Sequence, residues 1–185
     1  MRLPNGGRRM ETRSELAEAE WQLRETQSAG ICLAVLALMA KDRGGPKIRL
    51  QVLFYPATDT NFETQSYQDF KTGRFLSLDF MKFGWNIYAP DAKLRKEAYV
   101  APLQASIEQL RGLPPALVPT AENDPLRDEG EAYAQKLDQA GVEVIATRYL
   151  GQIHDFGLLN ALHNIPSTQE SLRQASEALK KSLNQ

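Results

Sequence analysis

The sequence predicts an α/β fold in which a mostly parallel sheet is flanked by helices, and three observations lead there. Three short apolar runs, LQVLFY (50–55), ALVPTA (116–121) and VEVIATRYL (142–150), have the length and residue types of buried strands. Segments of helical periodicity lie between and after them, the alternation that builds parallel sheets with right-handed crossovers. No internal repeat, low-complexity tract or linker divides the 185 residues, so they read as one domain.

Taken in order, residues 1–10 read as loop, because Pro4, Asn5, Gly6 and Gly7 are turn formers. Thr12 and Glu15 have capping-box spacing, and Leu16, Ala19 and Leu23 behind them predict a helix from Arg13 to Glu25. Ser28 to Arg43 is apolar nearly all round, which predicts a helix buried on most faces and stopped by Gly44, Gly45 and Pro46. From Asp59 to Leu113 there is no strand signal, only one aromatic helix, Leu78 to Tyr88, among loops. Pro119 marks the second strand as short or bent. Pro125 suits the first turn of a helix that runs to Ala140 and ends at Gly141. Ser167 and Glu170 form a second capping box, and the helix behind it carries Leu172, Ala175, Leu179 and Leu183 on one stripe.

Composition removes several classes of function. The net charge of −1, from 22 Lys and Arg against 23 Asp and Glu, excludes a strongly basic nucleic-acid binder. Two histidines and one cysteine cannot supply the four ligands of a structural zinc site, and one cysteine forms no internal disulfide. The longest apolar run, Ile31 to Ala40, is about half of what a membrane helix needs. The N-terminal arginines have no apolar core behind them, so no secretory signal is read, and a cytoplasmic protein is expected.

Three residues have the types of a nucleophile–acid–base set and occur in that order: Ser28 in TQSAG, Asp124 in ENDPLRDEGEAYA and His154 in GQIHDFG. A serine hydroxyl becomes nucleophilic when an imidazole takes its proton, and a carboxylate fixes the imidazole's tautomer. The order Ser, Asp, His is the one used by α/β-hydrolases. Each residue also has an ordinary reading. Ser28 caps or lines a buried helix, Asp124 is the N-cap before Pro125, and His154 is a surface-loop histidine. Cys32 reads as a small core residue, His163 is given no role, and Glu122 and Asp128 are solvated or paired with Arg127. Phe80, Phe83, Trp85 and Tyr88 either line a pocket or pack a helix on the core.

From Ser28 onward the chain resembles the C-terminal portion of the hormone-sensitive-lipase-like esterases, the α/β-hydrolase fold-3 group. SAG and the small-residue helix behind it are similar to the family's nucleophile elbow. LQVLFYPATD (50–59), YVAPLQAS (99–106) and, most specifically, LRGLPPALVPTAENDPLRDEGEAYAQKLDQAGV (110–142) carry the rest of the resemblance. It implies an incomplete α/β-hydrolase fold over 28–185, with 1–27 an unmatched helical segment. It also implies that Ser28, His154 and Asp124 are nucleophile, base and acid for short-chain acyl esters. No metal or organic cofactor is implied, and the partners expected are a small ester substrate and, through an exposed sheet edge, a second copy of the chain.

The sequence departs from the family in five places. No HGGG-type oxyanion loop precedes Ser28, Thr26 stands where the elbow has its first glycine, and Ile31 replaces another glycine. The segment before Ser28 reads as helix where the elbow needs a strand, and Asp155 follows His154 where the family has glycine, placing a second carboxylate beside the base. These departures point to a member whose N-terminal half is missing or replaced. They also define the competing expectation, an inactive hydrolase fragment that serves as a binding or assembly partner.

Overall fold

Pro119 shapes the sheet on which everything else is arranged. The computed structural model describes residues 31–184, so the expected helix 13–25, its capping box and Ser28 lie outside the described residues. Three strands, β1 (Gln51–Val52), β2 (Ala116–Asn123) and β3 (Val144–Ile153), form a parallel sheet in the order β1-β2-β3. The run 50–55 predicted a longer β1. Its backbone does continue alongside β2, with Leu53 N donating to Leu117 O at 2.8 Å and Tyr55 N to Pro119 O at 2.7 Å. Pro119 turns its carbonyl toward β1 but has no N–H to give back, so the reciprocal bond of the ladder is missing and regular pairing ends at Val52. Beyond Ala121 the β2–β3 register shifts, and Asn123 pairs with Ile153.

Helix α1 covers 31–42. Between β1 and β2 come α2 (Gln65–Asp69), α3 (Leu78–Tyr88) and α4 (Ile107–Leu110). Helix α5 (Arg127–Gln139) makes the β2–β3 crossover, and α6 (Pro166–Leu183) follows β3. Helix α3 has the predicted bounds, capped by Ser77, whose hydroxyl accepts from Phe80 N. Gly44 and Gly141 close α1 and α5 with positive φ, +61° and +79°, as their glycines predict.

Three apolar clusters hold the layers. Leu38 of α1, Leu53, Leu110 of α4, Val118 of β2, and Tyr133 and Leu137 of α5 form one. Ile31, Val35, Tyr67, Met81, Trp85 and Leu126 form a second. Tyr55, Ala121, Tyr149 and Phe156 form a third at the carboxyl ends of the strands. Each fully buried leucine contributes about 1.5–3 kcal/mol of transfer free energy.

Three expectations are corrected here. Helix α1 is not buried all round: Ile31, Ala34, Val35, Ala37 and Leu38 face the core, whereas Cys32, Leu33 and Leu36 are exposed. Cys32 is therefore a surface residue, because a helix against one layer covers only one side. Helix α6 begins at Pro166, with proline at its first position and no side-chain cap. The Ser167 hydroxyl instead accepts from Gln152 Nε2 at 2.6 Å, and Glu170 pairs with Arg173. The face α6 buries is Thr168, Ser171 and Ala175, while Leu172, Leu179 and Leu183 are exposed. Polar contacts from β3 to its first half, Gln152 to Ser167 and Tyr149 Oη to Gln174 at 2.8 Å, set that rotation. Among the described residues no helix is long and apolar enough to cross a membrane.

Gly130 lets α5 approach the sheet. A β-carbon there would lie 3.3 Å from Pro56 Cδ and 3.4 Å from Thr120 Cγ2. A small alanine gains helix propensity against this crowding, but a branched side chain cannot fit. Gly130→Val is expected to lose about 1–3 kcal/mol by urea denaturation, with an unchanged m-value.

Candidate active site

In parallel α/β sheets, ligand sites lie beyond the carboxyl ends of the strands. There this chain places a buried acid–base pair. Asp124 follows the last residue of β2, His154 follows the last residue of β3, and Asp124 Oδ2 lies 2.8 Å from His154 Nδ1. Asp124 is fully buried and the imidazole 7% exposed. The parallel register brings the two strand ends side by side, so residues 30 apart in sequence meet.

Asp124 does two jobs. Its Oδ1 accepts from Leu126 N at 2.9 Å, and its own carbonyl accepts from Arg127 N at 3.1 Å, which closes the turn that opens α5. Asp124 thus bonds the turn on one oxygen and the imidazole on the other, but the expected N-cap role is corrected: the N-cap of α5 is Leu126, with no side-chain cap. The helix itself starts at Arg127, two residues after Pro125.

Helix α2, far away in sequence, clamps this turn. Ser66 Oγ donates to Pro125 O at 2.6 Å, and Ser66 N donates to Asp128 Oδ2 at 2.7 Å. Arg127 Nε reaches Asp128 Oδ1 at 2.9 Å, as the charge pattern predicts, while Glu122 accepts from Gly151 N at 2.7 Å. One turn on, Glu129 is buried. Its Oε1 accepts from Thr58 N at 2.6 Å and Asp59 N at 3.3 Å, tying the segment after β1 to α5. Its Oε2 and Tyr67 Oη have no hydrogen-bond partner among the described residues. Burial raises the Glu129 carboxyl well above its ordinary value near 4.5, and the charges of Asp59 and Asp124 add to this against the two backbone donors.

Tyr55 packs its ring edge-to-face on His154, with centroids 4.8 Å apart, and leans on Phe156, which is fully buried. Burial alone would make the His154 cation unfavourable. The charge and hydrogen bond of Asp124, with Asp155 in addition, outweigh it and raise the ring above its ordinary 6.5. Protonated His154 therefore stabilises the fold fully below about pH 6.5, and that contribution is lost as pH rises through the raised value. A carboxylate on Nδ1 selects the tautomer with its proton there and leaves Nε2 to act as base.

Ser28 lies outside the described residues. Ile31, three residues further on, sits in the same apolar cluster as Leu126, two residues beyond Asp124. The aromatic helix α3 divides: Trp85 is buried in that cluster, whereas Phe80, Phe83 and Tyr88 are exposed. His163 is exposed. Among the described residues no group of three or more His, Cys, Asp or Glu is placed to hold a metal ion. Tyr55, Ser66 and Glu129 escaped sequence reasoning. Tyr55 looks like any residue of an apolar run, and the partners of the other two are about sixty to seventy positions away.

The family model described as an alpha/beta hydrolase fold matches residues 27–158. The chain belongs to that family, in its fold-3, esterase/lipase-like group. A carboxylesterase of Mycobacterium tuberculosis, NlhH, is 32% identical over 157 residues, which are 84% of this chain and 49% of that protein. An ethyl acetate hydrolase of Pseudomonas putida is 31% identical over 179 residues, 88% of this chain and 55% of that protein. Among solved structures, a thermostable esterase from Pseudomonas putida ECU1011 superposes with a TM-score of 0.78 at 55% identity. That match covers 79% of this chain and 46% of the esterase. The chain thus spans about half the length of the relatives it matches.

Glu129 provides a test of how the acid turn is held. Because its folded-state pKa is raised, its stabilising contribution is complete below about 4.5 and is lost as pH rises through the folded value. Glu129→Gln keeps the acceptor for Thr58 and Asp59 and removes the titration. Its melting temperature is expected to match the parent at pH 5 and exceed it increasingly toward pH 8. Glu129→Ala strands both backbone donors and is expected to lose about 1–3 kcal/mol at either pH.

Proposed function

We propose that this chain hydrolyses carboxylic esters of short acyl chains by acyl transfer through Ser28, His154 and Asp124. The observation that carries the reading is the buried Asp124 Oδ2 to His154 Nδ1 hydrogen bond of 2.8 Å at the carboxyl ends of two parallel strands. The family membership supports it, and so does the common cluster that joins Ile31 to Leu126.

In this mechanism the Ser28 hydroxyl attacks the ester carbonyl while His154 Nε2 takes its proton. Asp124 keeps the ring oriented and stabilises the imidazolium. The tetrahedral intermediate collapses as His154 protonates the departing alcohol, leaving an acyl-serine. Water, deprotonated by the same nitrogen, then attacks the acyl carbon, and Ser28 is released with the acid.

Hydrolysis of p-nitrophenyl butyrate by the parent chain, Ser28→Ala and His154→Ala tests this. Each substitution is expected to lower kcat/KM by about 10³-fold or more with the circular-dichroism spectrum unchanged. Equal rates in the parent and Ser28→Ala would reject the reading and leave a binding or assembly partner as the function.

A further inference from the structure

His154 faces a second carboxylate, on the side away from Asp124. Asp155 Oδ1 lies 3.5 Å from His154 Nε2, an ion-pair distance beyond a good hydrogen bond. Asp155 is held there by an uncommon backbone, with φ of +60°, in the left-handed region that Asp and Asn tolerate better than most residues. The turn is closed by Leu158 N, which donates to Asp155 O at 2.8 Å, and by Phe156, anchored in the third cluster. The side chain is only partly exposed, so water screens the pair incompletely.

The tautomer that Asp124 enforces makes this arrangement unusual. With Nδ1 donating to Asp124, a neutral ring leaves an unprotonated Nε2 3.5 Å from a second carboxylate oxygen, which favours the protonated ring. Resting on the reading of His154 as general base, we propose that Asp155 is a positioning residue. Its carboxylate, 3.5 Å from Nε2, holds on the ring by charge the proton that must leave before Nε2 can act as a base. Asp155 thereby sets the pH above which the base is free.

Among the described residues, the titratable side chains that face the ring are Asp124 from the β2–α5 turn, Tyr55 from the segment after β1 and Asp155 from the loop that follows β3. Burial and the two aspartates push the Tyr55 phenol upward, so it adds no charge near neutral pH. Asp155 is itself raised, by burial first and by Asp124, against the attraction of His154. The two groups face each other at ion-pair distance and titrate as a coupled pair.

Proton NMR titration of the imidazole Hε1 resonances in the full chain tests this without reference to activity, because the only other histidine is His163 and His163→Gln assigns its signal. In both Asp155→Asn and Asp155→Gly the His154 midpoint is expected to fall by about one pH unit. The lower limb of the kcat/KM profile for p-nitrophenyl butyrate should move down with it. Asn keeps the shape and tolerates the left-handed backbone, while Gly relieves it, so a shift common to both belongs to the charge. A midpoint unchanged in both overturns the proposal. A midpoint that falls while no variant, nor the parent, hydrolyses ester supports the charge effect of Asp155 and rejects ester hydrolysis.

Discussion

The burial of Asp124 constrains the rest of the structure. A carboxylate taken fully out of water must be met by donors at both oxygens. Oδ1 takes the Leu126 N–H and Oδ2 takes the imidazole. The first requires a tight turn after β2, and the second requires β3 to end beside it in parallel register. Pro119 and the register shift beyond Ala121 therefore bear on the site although neither touches it. The clamps on the turn follow from the same demand. Ser66, Asp128 and Glu129 join α2, α5 and the segment after β1, three pieces of chain that share no local sequence.

Much of this was legible in the sequence, for reasons that are local. Apolar runs bounded by turn residues marked the three strands, Gly141 marked the end of α5, and an aromatic run from Leu78 to Tyr88 marked α3. Asp124 and His154 were legible together because Ser, Asp and His occur in the order α/β-hydrolases use and the flanking segments resemble that family. What escaped was what neighbours decide. The burial of α6 was misread because its leucines outrank Thr168, Ser171 and Ala175 in hydropathy, whereas hydrogen bonds from β3 choose the face. Cys32 was misread because an apolar neighbourhood in sequence need not be one in space. β1 was too long by the residues whose ladder bond Pro119 cannot return.

Asp155 joins these two levels. The sequence places a carboxylate next to the base, and only the backbone, turned to positive φ, shows on which side of the ring it falls. His154 then lies between two acids that differ in burial and role. Asp124 is fixed, buried and bonded to Nδ1, whereas Asp155 is partly exposed and faces the nitrogen that must exchange protons. In the proposed mechanism, Asp124 orients the imidazole from one end and Asp155 sets its proton affinity from the other.

The claim at the centre is that Ser28, not merely the acid and base, completes a working set. The most direct measurement is covalent labelling of the full chain with a fluorophosphonate, followed by peptide mass spectrometry. Reaction needs a serine activated by its base and reports it whatever the natural substrate. The account predicts one phosphonylated peptide, modified at Ser28, that disappears in His154→Ala. An unlabelled chain, or label on another residue that persists without His154, would contradict it.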